Sequence, residues 1–102
     1  MNAFQAILII VGRGSADRVM QIAHENGAKG GTIVPCRGTG HHDSHELLYT
    51  ALDSERELIV IVTPGDLTKQ VAYAINEALA LDEPGNGLLM TLELDEVKGL
   101  LM

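Results

Sequence analysis

The chain has a single cysteine, no tryptophan and one phenylalanine among its 102 residues. One cysteine excludes an internal disulfide, and the scarcity of aromatic side chains means that the core must be aliphatic. There is also no amino-terminal signal pattern, and no apolar run of about 18 residues or more that would cross a bilayer. We therefore expect a cytoplasmic protein with no direct membrane insertion.

Basic residues are scarce as well. Lys and Arg total seven against 14 Asp and Glu, which gives a net charge of −7, and the cations form no cluster in the sequence. Because a phosphate-neutralising face needs clustered cations, we expect no nucleic-acid partner. No Ser/His/Asp triad pattern, CxxC pair or Walker loop is present either, so we expect a protein that is not an enzyme.

The pattern of apolar residues predicts one domain with the element order βαββαβ. Ser15 and Asp66 are the expected helix N-caps, and Gly27 is expected to end the first helix. This order favours an α+β, ferredoxin-like sandwich, in which a four-stranded antiparallel sheet carries two helices on one face. The predicted strands span residues 4–11, 32–37, 58–62 and 88–94, and the predicted helices follow Ser15 and span residues 67–81.

Two glycine-rich stretches, residues 30–40 and 84–87, are the most distinctive feature of the chain. Each adjoins an apolar run that is typical of a strand, so a ligand could lie directly against exposed main chain there. An apolar content of 46% in so short a chain also leaves aliphatic surface for a second subunit. These features favour a self-associating binding protein.

Five segments, in order along nearly the whole chain, resemble the PII nitrogen-regulatory superfamily and in particular its divergent PII-like members. They are residues 30–40, 59–64, 74–78, 84–87 and 94–100. The resemblance implies a single PII-like domain over residues 1–102, assembled into a homotrimer that acts in signal transduction for nitrogen regulation. It also implies an adenine nucleotide (ATP, ADP or AMP) bound in the clefts between subunits, and no tightly bound metal.

The resemblance places the nucleotide between the start of the loop after the second strand and the glycine turn before the fourth. Backbone N–H groups in such a turn can form a nest for an anion. The residues carried over to this cofactor site are Thr32, Arg37, Gly38, Thr39, Gly40, Val62, Gly85, Asn86, Gly87 and Leu88.

The chain departs from the resemblance at the phosphate contacts. Leu88 stands where classical members have a lysine, and Gly99 and Leu101 stand where they have arginines. Phosphate charge would then rest on Arg37, Lys98 and backbone dipoles. ADP, AMP, another small anion or no nucleotide therefore stay open beside ATP.

The loop over residues 38–56 is expected to be mobile and to control an unknown target protein, a transporter or an enzyme. It contains Tyr49, which we interpret as an apolar contact residue rather than a modification site, since its neighbours differ from the family pattern. His41, His42 and His45 lie in the same loop. They form the alternative hypothesis of a metal-binding or metal-sensing module, or of a pH-sensitive hinge, against the plainer reading of a solvated polar loop.

Other sequence features favour structural roles. The Gly12, Arg13 and Gly14 turn lacks the third glycine of a dinucleotide fingerprint and is interpreted as a tight turn before a helix. Cys36 is interpreted as a small core residue, although a nucleophile near His41 is the alternative. The acidic group of Asp53, Glu55 and Glu57 is expected to be a solvated face.

Overall fold

A computed structural model describes residues 3–38 and 55–100. These residues form four strands and two helices in the order βαββαβ, as predicted. Neither helix in this part of the chain is both long and apolar enough to cross a membrane. The elements are β1 (Phe4–Gly12), α1 (Ala16–Glu25), β2 (Thr32–Arg37), β3 (Glu55–Pro64), α2 (Gly65–Leu79) and β4 (Leu88–Glu93).

All four strands belong to one antiparallel sheet with the order β2-β3-β1-β4. The central pair is β1 and β3, while β2 and β4 form the two edges. Across the middle of the sheet, Leu8 is in register with Val60 on one side and with Met90 on the other. The arrangement confirms the predicted ferredoxin-like fold.

The core lies between one face of this sheet and the two helices. Alternate residues of a strand share a face, so Ile7 and Ile9 of β1 point towards the helices together with Ile59 and Ile61 of β3. All four are fully buried, and Val19 of α1 packs in the same cluster. Burial of each such side chain contributes roughly 1.5–3 kcal/mol. The core is aliphatic, as expected.

The other face of the sheet, which we call the open face, is covered by neither helix. Its exposed apolar residues are 37–51% accessible: Val34, Leu88, Met90 and Leu92. Four strands and about six residues give this face dimensions of roughly 20 by 20 Å, within the size range of patches that mark interaction sites. By register, its remaining members are Ala6, Leu8, Ile10, Leu58, Val60, Val62, Thr32, Cys36 and Arg56.

The helix ends correct two of the sequence predictions. Ser15 occupies the N-cap position of α1, but its side chain makes no capping hydrogen bond. Helix α2 begins at Gly65, so Asp66 lies in the first turn instead of capping it. The early start is possible because the Gly65 N–H donates to the Ala3 carbonyl at 2.9 Å, which satisfies a helix amide from outside the helix. Gly27 follows the end of α1, as predicted.

Candidate functional site

Thr32, from the predicted first wall of the nucleotide site, and Val62, the predicted contribution of the third strand, line one shallow cleft of about 210 Å³. In register, Thr32 lies opposite Val60 and Val62 lies opposite Ala6, so both side chains belong to the open face. The floor is therefore aliphatic, and among the described residues that line the cleft Lys29 alone is charged. Such a cleft suits a flat apolar body with one acceptor near the lysine. The other lining residues are Gly30, Gly31, Val60, Pro64 and Leu100.

Glycine is required at position 31 for packing. A Cβ atom there would lie 3.0 Å from the Val60 carbonyl oxygen and 2.9 Å from the Met20 sulfur, whereas a Cβ at Gly30 would meet nothing within 4 Å. The main chain at Gly31 therefore passes directly against β3, and Gly31 is also exposed, so its main chain is accessible at the edge of the cleft.

In the glycine turn before β4, the side-chain amide of Asn86 holds the turn against the end of α2. At the end of α2, Asn86 Nδ2 donates to the carbonyl oxygens of Ala80 at 2.9 Å and Leu79 at 3.4 Å, and the Ala80 carbonyl also accepts the Glu83 N–H at 3.1 Å. Gly85 and Gly87 both have positive φ, at 90° and 137°. The Asn86 backbone N–H donates to the Glu83 carbonyl oxygen at 3.4 Å, so both N–H donors of Asn86 are engaged and any main-chain donor for a ligand comes from the neighbouring glycines.

Gly87 and Leu88 line a second cleft, of about 390 Å³, between α2 and the start of β4. Its charged lining residue is Asp82, whose carboxylate accepts a hydrogen bond from Asn76 Nδ2 at 3.3 Å. Residues 80–93 contain no lysine or arginine. Chemically, this cleft is poor in phosphate-binding groups apart from main-chain N–H donors. Its other lining residues are Ala72, Tyr73, Leu81 and Leu89.

The two glycine stretches lie at opposite edges of the sheet, because β2 and β4 are its outer strands. Three strand spacings separate them, a distance of roughly 14 Å. One chain therefore does not bring Thr32 and Val62 together with residues 85–88. Arg37 is displaced as well, since it ends β2 about 16 Å from Thr32.

Arg37 lines a third cleft, of about 410 Å³, where β2 ends and β3 begins. Gly38 follows it and is half-buried. The remaining lining residues are Arg13, Pro35, Cys36, Glu55, Arg56 and Glu57. Lys98, the other expected phosphate partner, is exposed and lies 3.6 Å from a carboxylate oxygen of Glu96. The site residues stay a prediction, because a site shared between subunits is not tested by a single chain.

Several sequence-predicted residues fall outside the part of the chain that the structure describes. These are Thr39, Gly40, His41, His42, His45, Tyr49 and Asp53. Within residues 3–38 and 55–100, no group of three or more His, Cys, Asp and Glu side chains is arranged to hold a metal ion. Cys36 is half-buried at the edge of the open face instead of lying in the core, because it belongs to an edge strand that neither helix covers.

The acidic residues 55 and 57 were expected to form a solvated face; Glu55 is exposed, as expected, whereas Glu57 is half-buried and has a structural role. Glu57 Oε1 accepts hydrogen bonds from the backbone N–H of Gly14 at 2.8 Å and of Ala16 at 3.1 Å, so a strand carboxylate caps α1 in place of Ser15. Glu55 forms an ion pair with Arg13. The sequence signal for Glu57 is weak, because its partners are 41 and 43 positions away.

We predict that Glu57→Gln lowers the free energy of unfolding by about 1–2 kcal/mol, because the helix N-terminus loses a charged cap. Glu55→Gln removes the same charge from the exposed ion pair and should change stability by less than about 0.5 kcal/mol. Urea unfolding of both variants at one protein concentration tests the difference. If both variants lost the same unfolding free energy, the effect would come from removing one negative charge and not from capping α1.

The family model for nitrogen regulatory protein P-II matches residues 4–100. Among solved structures, PII of Arabidopsis thaliana bound to citrate superposes with a TM-score of 0.68 at 20% sequence identity, over 92% of this chain and 77% of that one. At this identity the likeness concerns the fold. No curated protein matches the chain by sequence. The family match covers almost every residue of the ferredoxin-like domain, and the chain belongs to the nitrogen regulatory protein P-II family.

Proposed function

We propose that this protein is a PII-type regulator that binds a small effector, an adenine nucleotide, between subunits of a homotrimer. The family is described as regulatory, which supports binding rather than catalysis. The observation that carries the proposal is the separation of the two glycine stretches onto opposite edges of one sheet. Only neighbouring copies can bring those edges together into one pocket.

The open face supports self-association. Four aliphatic side chains of β2 and β4 are left 37–51% accessible on a face that neither helix covers. Burying such a patch against a second copy removes apolar surface from water at both edges of the sheet. The same association would place the Thr32 and Val62 cleft of one subunit beside a neighbour's glycine turn.

The ligand we propose carries few phosphates. The aliphatic floor at Val60 and Val62 suits a purine ring, and Lys29 provides one cation. The opposite wall contributes main-chain N–H groups beside Asp82, with no lysine or arginine in residues 80–93. A triphosphate would therefore gain little over AMP or ADP, because its additional charge meets no additional cation.

Regulation follows if the ligand binds two states of the 38–56 segment with different affinity. The residues that flank this segment, Arg37 and Glu55, pair with each other at the end of β2, about 16 Å from Thr32, so the coupling we propose acts along the length of that strand. A ligand shifts such an equilibrium only by its differential affinity, and a target protein that selects one state is then controlled. We propose that the protein is cytoplasmic and that its target is a transporter or an enzyme.

Calorimetric titration of the purified protein with ATP, ADP, AMP and adenosine tests this function. We expect AMP and ADP to bind, and ATP to bind no more than about threefold more tightly than AMP, because residues 80–93 provide no cation for the γ-phosphate.

Val62→Glu places a carboxylate in the aliphatic floor and should abolish the heat of binding, while Ile33→Glu provides a matched change on the same sheet outside this cleft. A folded trimer that gives no heat with any of the four ligands would reject the nucleotide. Tight binding of ATP alone would reject the charge argument.

A further inference from the structure

The chain contains the dipeptide Asn-Gly twice, as Asn26 and Gly27 after α1 and as Asn86 and Gly87 before β4. In this dipeptide the backbone nitrogen of glycine can attack the side-chain amide carbon of asparagine, because glycine has no Cβ atom to hinder the approach. We propose that Asn86 is a self-modification site, where this reaction converts the amide into a carboxylate and thereby releases the end of α2. The fold protects the same dipeptide at Asn26.

The reaction needs only water. The Gly87 nitrogen gives its proton to hydroxide and bonds to Asn86 Cγ, while the bond between Cγ and Nδ2 breaks and the leaving nitrogen takes a proton from water to depart as ammonia. Water then opens the cyclic imide. Breaking the bond between Cγ and the Gly87 nitrogen leaves aspartate, and breaking the bond from the main-chain carbonyl carbon to that nitrogen leaves isoaspartate. Either product carries one more negative charge than asparagine.

At Asn26 both reacting groups are held by the fold. The Gly27 N–H donates to the His24 carbonyl oxygen at 3.1 Å, so the attacking nitrogen is engaged at the end of α1. Asn26 Nδ2 donates to the Ile22 carbonyl oxygen at 2.9 Å, and the main-chain carbonyl of Asn26 accepts a hydrogen bond from Gln70 Nε2 at 3.1 Å. Asn26 is also half-buried. Ring closure at this position therefore has to disrupt the junction between the two helices.

At Asn86 only one of the two reacting groups is held. The Gly87 N–H makes no turn, loop or cap hydrogen bond within residues 3–38 and 55–100, and both Asn86 and Gly87 are exposed to water. The side-chain amide is fixed by its bonds of 2.9 Å to the Ala80 carbonyl and 3.4 Å to the Leu79 carbonyl, and the second is longer than an ordinary hydrogen bond. Rotation of a single side chain breaks both bonds and frees Cγ for attack.

The product cannot keep the contacts of the amide. A carboxylate accepts hydrogen bonds but donates none, so its oxygens would face the Leu79 and Ala80 carbonyl oxygens with no proton between them. The new charge also lies at the C-terminal end of α2, where the helix dipole disfavours an anion. Asp82 and Glu83 are close in sequence, and residues 80–93 contain no lysine or arginine. The conversion therefore releases the end of α2 and makes the glycine turn more negative.

Mass spectrometry of the parent protein, incubated at mildly alkaline pH in water labelled with heavy oxygen, tests the site. Fragment ions should show conversion at Asn86 at least about tenfold faster than at Asn26, because Asn26 has more hydrogen bonds to break. Each product should contain one labelled oxygen, and both aspartate and isoaspartate should form. In guanidinium chloride, where the fold protects neither site, the two rates should agree within about twofold. A folded protein in which Asn86 reacts no faster than Asn26, or a tenfold ratio that persists in denaturant, would overturn the proposal.

Asn86→Asp reproduces one product and measures its effect on α2. Amide hydrogen exchange in the last turn of that helix should become at least about fivefold faster, because the end of the helix loses its side-chain donor and gains a charge. Asn86→Ala removes the donor without the charge and should give a smaller increase. Gln21→Glu makes the same charge change at an exposed position of α1 and should leave exchange in α2 unchanged. Unchanged exchange in Asn86→Asp, or equal increases in Asn86→Asp and Gln21→Glu, would overturn the release of α2.

The effect of the modification on ligand binding rests on the proposed function. A carboxylate on the glycine turn repels phosphate, so Asn86→Asp should weaken AMP binding at least about tenfold, whereas Gln21→Glu should not. Saturating AMP should also slow the conversion of Asn86 in the parent protein, because the bound ligand covers the turn. If the parent protein binds no AMP, the proposed function fails, while the mass spectra still decide the modification. AMP binding that leaves both the rate and the affinity unchanged would contradict the link between modification and ligand.

Discussion

Replacing Leu92 by glutamate is expected to convert the proposed homotrimer into monomers at micromolar concentration. Leu92 is 46% exposed on the open face, so the substitution disturbs the folded chain little. In the assembly, however, it would place a carboxylate in each apolar interface, which costs several kcal/mol and raises the dissociation constant at least about hundredfold. Sedimentation equilibrium should find three times the 10.9 kDa chain mass for the parent protein and one chain mass for the variant.

Thr91→Glu is the matched control, because Thr91 is the preceding residue of β4, is exposed and is in register with Ile7 on the opposite face. It should leave the oligomer intact. The Leu92→Glu monomer should also give no heat with AMP, since the two glycine stretches lie at opposite edges of one sheet. A parent protein that sediments as a monomer, or a variant that stays trimeric, would contradict the proposed assembly.

The fold followed from the sequence because its signals are local. Apolar alternation marks the strands, and the bounds of β2 at Thr32 and Arg37 were predicted correctly. Strand β3 was predicted from Leu58 but begins at Glu55, because its first three residues are polar. Their strand conformation comes from pairing with neighbours distant in sequence, such as Glu57 with Val11 and Arg56 with Gly12. Pairing of this kind leaves no apolar pattern to recognise.

The end of α2 also could not be predicted from local sequence signals. The helix was expected to reach Leu81, but it ends at Leu79, and Ala80 takes the left-handed conformation with φ of 52°. A residue other than glycine is uncommon in that region. Here the Asn86 amide donates to the Leu79 and Ala80 carbonyls, and these bonds favour the helix end. No local sequence signal marks an end determined by a side chain six residues later.

The candidate site was accessible to sequence analysis only in part. The glycine stretches identify where main chain is exposed, but they do not show on which edge or face each residue lies. Register assigns Thr32 and Val62 to the open face, and it places Arg37 opposite Glu55 at the far end of β2. Lys29, which directly precedes the first glycine pair, was overlooked because a single lysine in a loop has no pattern.

The second large effect is expected for Gly87→Ala, which should lower the free energy of unfolding by about 3 kcal/mol. The φ angle of 137° at this position is unfavourable for any side chain. A Cβ atom would also lie 2.8 Å from the Ile10 carbonyl oxygen, and Ile10 is in register with Leu88 in a central strand that cannot move away easily. Thermal unfolding at one protein concentration should show a fall in Tm of roughly 10–20 °C.

The variant Gly85→Ala distinguishes the two causes of the lost stability, the positive φ angle and the close contact of the Cβ atom. Its φ is also positive, at 90°, but a Cβ atom there would meet nothing within 4 Å, so Gly85→Ala should cost only about 1–2 kcal/mol. Gly30→Ala, with open space and no positive φ, should lie within about 0.5 kcal/mol of the parent. If Gly85→Ala is as harmful as Gly87→Ala, contact with β1 is not what requires glycine at position 87. If the predicted order holds, the glycine at position 87 is explained by packing against β1, and only nucleotide binding by the folded Gly85→Ala variant can reveal whether the turn also serves a ligand.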